Sequence, residues 1–164
     1  MKKCIFLMLI LFPFVFCGEV SAQLNITAVV EEKPKKLLTG QVSYSWLYKT
    51  GTGNYEYWAN TDNRFDTHYT RLFLGNTPRT AVQTLKDLLS LMDKKVALVS
   101  VQQADADITL KYASQLGAKM LWIKQDGKGG KSWISYSIVE KFIEYFKEEF
   151  PEEFPEEGKQ NDTE

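Results

Sequence analysis

Cysteine occurs only twice in this chain, at Cys4 and Cys17, and histidine once, at His68. Both cysteines fall in the opening stretch MKKCIFLMLILFPFVFCGEVSA, where Lys2 and Lys3 precede an apolar run from Ile5 to Phe16 and small residues close at Ala22. That is the layout of a secretory signal peptide, and the run is too short to cross a bilayer as a helix. The mature chain is expected to begin at Gln23 in the periplasm or outside the cell, with no integral membrane segment left after cleavage. Processing as a lipoprotein would anchor Cys17, but Phe16 stands where that chemistry wants a small side chain.

A mature chain without cysteine has no disulfide even in an oxidising compartment, and no thiolate for catalysis or metal binding. One histidine excludes the zinc spacings built from paired histidines and cysteines. Neither a metal nor a cofactor is therefore expected.

Proline is scarce, and Pro151 and Pro155 both stand in a repeated Glu-Glu-Phe-Pro near the C-terminus. Proline, acidic charge and low complexity make a poor core, so residues 151–164 are expected to form an acidic disordered tail. Charge divides accordingly: residues 23–147 carry a net charge of +5 and residues 148–164 a net charge of −7. The basic surplus is spread along the body and not clustered on one element, which argues against a nucleic-acid partner.

Between the ends, residues 41–150 suffice for one domain, with residues 23–40 as a peripheral arm that could add an edge strand. QVSYSWLYK alternates, with Val42, Tyr44, Trp46 and Tyr48 on one face and Ser43, Ser45 and Leu47 on the other, which reads as a strand. TGTGN then turns the chain into YEYWANT, and YTRLFLG gives a third strand. NTPRTAVQTLKDLLSLMDKK changes to helical spacing, with Thr77 as N-cap and Pro78 at the first helical position. VALVSVQ, DITLKYA, AKMLWIKQ and KSWISYS are four more strands. SIVEKFIEYFKEEF is a second amphipathic helix, with Ser137 and Glu140 in capping-box register. The expectation is an α+β domain in the order βββαββββα: a mainly antiparallel sheet of six to seven strands, with two amphipathic helices on one face.

Three stretches invite a chemical reading. TDNRFDTH, residues 61–68, groups Asp62, Arg64, Asp66 and His68. His68 could be a general base oriented by Asp66, or the carboxylates could join it around a metal in a hydrolase, yet Asn, Asp and Thr are also what polar turns use. DGKGGKSW ends like a phosphate loop, but Gln125 stands where that pattern needs its first glycine and the chain continues into a strand, so a hairpin turn is expected. The third stretch is aromatic: Tyr44, Trp46 and Tyr48, then Tyr55 and Tyr57 on the hairpin partner, with Trp122 and Trp133 further on. Placed on an open sheet face, Tyr44, Trp46, Tyr48, Tyr55 and Tyr57 would bind a protein or glycan ligand; placed inward, they are core. The sequence thus points to an exported binding module without cofactor. The competing readings are an enzyme centred on Asp62, Asp66 and His68, and an accessory subunit of an envelope assembly that uses the aromatic face as a permanent interface. Asn25 and Asn161 sit in glycosylation sequons, which matter only where that machinery exists.

Overall fold

Two strand-rich halves, each ending in a helix, make up the computed structural model, which describes residues 32–41, 44–62, 69–104, 106–127 and 129–155. In the first half β1 (Lys35–Thr39), β2 (Ser45–Lys49), β3 (Tyr55–Asn60) and β4 (Tyr69–Gly75) lead into α1 (Pro78–Asp93). In the second, β5 (Val99–Val101), β6 (Ile108–Gln115), β7 (Ala118–Gln125) and β8 (Ser132–Ser135) lead into α2 (Tyr136–Glu149). Each half forms a four-stranded antiparallel sheet with its strands in chain order. The α+β class holds, in the order ββββαββββα. The added strand is β1, the edge-strand option for the arm, so eight strands stand in two sheets where six to seven were expected in one. The expected leader, residues 1–22, lies outside the described residues.

Alternation of burial explains the strands. Leu47 on β2, Tyr55, Tyr57 and Ala59 on β3, and Leu72 and Leu74 on β4 all point inward, while the residues between them face out. On the second sheet Ile108, Leu110, Leu121, Ile123 and Ile134 do the same. β6 turns into β7 through Leu116 and Gly117, both at positive φ (51° and 81°), the two-residue reversal whose twist matches the flanking strands.

Helix α1 starts as its sequence dictates. The Thr77 side chain accepts from the Thr80 amide at 3.2 Å, Thr80 Oγ1 accepts from the Thr77 amide at 3.1 Å, and Pro78 follows the cap. Only glycine fits at position 75, where a Cβ would lie 2.8 Å from the backbone nitrogen of Ala81. Helix α2 departs from the expected start. β8 passes directly into it, its N-cap is Ser135 with no side-chain cap bond, and Ser137 already lies in the first turn, so the Ser137–Glu140 capping box does not form.

Both helices cover one face and pack on each other. Ala81, Val82, Leu85, Leu88 and Met92 of α1 join Ile138, Val139, Phe142 and Phe146 of α2 in a single core with the inward strand residues. The halves interlock there. Phe142 and Phe146, one helical turn apart, stand on Tyr57 and Tyr55, two residues apart on β3, with ring centroids at 6.0 and 5.0 Å. α2 therefore closes over the first sheet although it follows the second.

The C-terminal boundary also moves. Pro151–Glu153 form a 3₁₀ turn, Phe154 packs against the core, and Arg79 donates to the Glu153 carbonyl at 3.1 Å. The tail expected from residue 151 is thus ordered to Pro155, because Phe150 and Phe154 find apolar surface; residues 156–164 lie outside the described residues.

Candidate aromatic binding surface

TDNRFDTH divides at the limit of the described residues: Arg64, Asp66 and His68 lie outside them. Asp62 is inside, and it is hydrogen-bonded to backbone. Its carboxylate accepts from the Lys131 amide at 2.8 Å while its own amide donates to the Lys131 carbonyl at 2.8 Å, tying the end of β3 to the turn before β8. Among the described residues no three His, Cys, Asp or Glu side chains gather as a metal site would require. DGKGGKSW runs into β8 as a hairpin would, with Gly127 and Gly130 at positive φ.

The aromatic residues sort by face. Tyr55 and Tyr57 are 2% and 0% exposed, so they belong to the core and not to a ligand-binding platform. The reason is register: Tyr48 pairs with Glu56 and Trp46 with Trp58, so the outward ring on β3 is Trp58, one position away from Tyr57. Tyr44, Trp46 and Tyr48 keep the outward side, with Tyr44 43% exposed.

Trp58 and Tyr69 are the members that sequence reading missed. Tyr48 meets Trp58 at 4.5 Å, Trp58 meets Tyr69 at 6.0 Å, and Tyr69 meets Trp46 at 5.9 Å between ring centroids. Cations cap two of these rings: the Arg71 guanidinium lies 4.2 Å from Trp58 and Lys36 Nζ 5.6 Å from Trp46. The Trp58 indole N–H donates to Glu56 at 2.7 Å. Half-exposed contacts of this kind are worth about 0.5–1 kcal/mol each, enough to orient a ring and weak enough to exchange for a ligand.

Arg71 and Glu56 also reach into a cavity of about 490 Å³ beside the aromatic patch. It is lined as well by Phe73, 44% exposed, and by the carboxamides of Asn54, Asn76 and Gln102. Two further amides close its floor. Gln103 accepts from the Phe73 amide at 2.7 Å and donates to the Arg71 carbonyl at 3.1 Å, and Gln125 accepts from the Arg71 amide at 3.2 Å. These side chains occupy the free edge of β4 as a neighbouring strand would. Gln125 had a legible signal, a polar residue on the inward parity of β7 after Leu121 and Ile123; Gln103 had none, since its partners lie 30 residues away.

Buried polar groups weld the two sheets. The Gln41 amide donates to Ser45 Oγ at 3.0 Å, Ser45 hydrogen-bonds Tyr57, and the Tyr57 hydroxyl donates to the Trp133 carbonyl at 2.6 Å. Burial pushes the Tyr57 phenol well above its ordinary value, and the bond from Ser45 offsets only part of that. Thr70 and Ser132 share a buried hydroxyl pair alongside.

The aromatic line continues onto the second sheet, where Tyr44 meets Trp133 at 5.4 Å and Trp133 meets Trp122 at 5.6 Å. Compared with family models, curated proteins and solved structures, the chain matches none. No helix among the described residues is long and apolar enough to cross a membrane.

Proposed function

We propose that this chain is an exported binding module that holds a glycan on the outer face of its first sheet. The observation that carries the reading is the junction at Arg71, Glu56 and Phe73. There a cluster of outward rings borders a cavity whose polar lining is mostly carboxamide. A carboxamide both donates and accepts, as does a sugar hydroxyl, so Asn54, Asn76 and Gln102 suit a ligand with hydroxyls on every side. The apolar face of a sugar ring has Phe73 and Trp58 to lie against. In this reading Trp46, Tyr48 and Tyr69 extend the platform, and Arg71 and Glu56 fix the ligand's orientation at its centre.

A folded protein surface would lie across the rings without filling the cavity beside them, whereas a sugar is small enough to do both, which is why the glycan is preferred. The test is calorimetric titration of the mature chain with neutral oligosaccharides, beside Trp58→Ala and Arg71→Ala variants whose melting temperature stays near that of the parent. Binding that weakens about tenfold or more in each variant supports the site. Binding of equal strength in parent and variants would remove the first sheet from consideration.

A further inference from the structure

We propose that the outer face of the second sheet carries a separate site for an acidic oligosaccharide, seated on Trp122 and held by Lys111, Lys124 and Lys131. This goes beyond the first-sheet reading and does not depend on it.

Strand register builds the site. Lys111 on β6 lies directly opposite Trp122 on β7, Thr109 lies opposite Lys124, and Trp133 on β8 flanks Trp122 from the other side. Outward residues of an antiparallel pair alternate with buried ones, so Thr109, Lys111, Trp122 and Lys124 share one surface while Leu110, Leu121 and Ile123 fill the core. Lys131, just before β8, brings its Nζ to 4.1 Å from the Trp122 ring. These three lysines, Trp122 and the exposed Leu98 line a concavity of about 420 Å³.

Charge supplies the ligand's sign. Among the described residues no carboxylate pairs with Lys111, Lys124 or Lys131, and Asp62 beside them has its carboxylate turned to the Lys131 backbone amide. Three ammonium groups around one ring form a cationic pocket with an apolar floor, and such a pocket selects anions that also carry an apolar face.

Geometry supplies the class. The backbone groups of a sheet interior are spent on the ladder, so this face cannot take up a peptide as an added strand. Trp122 and Trp133 meet at 70°, an edge-to-face corner, whereas successive nucleic-acid bases need open, parallel-facing rings. A saturated sugar ring bearing a carboxylate or sulfate can lay its C–H face on Trp122 in the concavity and meet the lysines with its charge. Lys131 then exchanges an exposed cation–π contact for an ion pair.

The experiment titrates the mature chain by calorimetry with a hexameric polyuronate, a sulfated hexasaccharide and the methyl-esterified, uncharged polyuronate. The Lys111→Gln/Lys124→Gln double variant, Trp122→Ala and Trp58→Ala are run alongside, each checked for an unchanged circular dichroism spectrum. We expect one or both acidic sugars to bind, the uncharged ester to bind at least about tenfold more weakly, and the lysine and Trp122 variants to lose about tenfold or more, while Trp58→Ala binds normally. Which acidic sugar binds more tightly decides between carboxylate and sulfate. Equal binding of the ester, normal binding by the lysine variant, loss in Trp58→Ala, or failure of both acidic sugars would overturn the proposal. So would tighter binding of a glutamate-rich peptide or an oligothymidylate.

Discussion

Replacing Tyr57 with phenylalanine removes one oxygen from the middle of the weld between the two sheets. The ring stays, and with it the packing on Phe142, so the apolar contribution is unchanged. What is lost is the 2.6 Å bond to the Trp133 carbonyl and the bond with Ser45, leaving a part-buried carbonyl without that donor and the buried Ser45 hydroxyl with only its bond from the Gln41 amide. A buried polar group deprived of its partner costs about 1–3 kcal/mol, and because the Ser45 hydroxyl can rotate, the expected total is about 2–3 kcal/mol. For a body of this size that is a fall in Tm of roughly 6–12 °C.

Urea denaturation of parent and variant, with unchanged m-values, reads the difference. Alkaline pH gives a second, independent readout. The folded-state pKa of Tyr57 is raised above the ordinary phenol value of 10.0, so the neutral phenol is the form that folding favours. Its contribution is complete below about pH 10 and is lost as the pH rises above that, because the unfolded chain ionises first. One such group adds a decline of about 1.4 kcal/mol per pH unit, and Tyr57→Phe lacks it. Tyr145, also raised, chiefly by burial, is common to both proteins and cancels. A loss below about 0.5 kcal/mol, or identical alkaline slopes, would show that the phenol does not bridge the sheets.

Leu116 is fully exposed and sits at φ 51° in the β6–β7 reversal, where a branched apolar side chain is strained; Leu116→Asn should raise stability by about 0.5–1 kcal/mol in the same denaturation assay, and a decrease would contradict the turn geometry. Ending the chain after Phe150 removes the Phe154 packing and the Arg79–Glu153 contact, and should lower Tm by several degrees relative to a chain ending after Pro155. Equal melting of the two truncations would show that the 3₁₀ turn contributes nothing.

The periodicities that hydrogen-bonded ladders and helices impose are local, and the sequence by itself determined what depends on them. Seven of the eight strands, both helices, the Thr77 cap and the division of β2 into two faces follow from alternation, helical spacing and cap chemistry within a few residues, whereas which face of β2 is buried does not. Tertiary structure decided whatever depends on how strands pair. Residues Tyr55 and Tyr57 looked equivalent to Tyr44, Trp46 and Tyr48 until the register of one hairpin set Trp46 against Trp58. A shift of a single residue exchanges the core and solvent faces of a whole strand. The division into two sheets, the closing of α2 over the first of them and the polar weld at Tyr57, Thr70 and Ser132 likewise join residues more than 60 positions apart. Hints of that weld were present as polar side chains on inward parity, Ser45, Thr70, Gln125 and Ser132, but their partners were not. The lysines around Trp122 were visible as charge and became a site only when adjacent strands brought them to one face, because cross-strand proximity is set by the pairing partner and not by position along the chain.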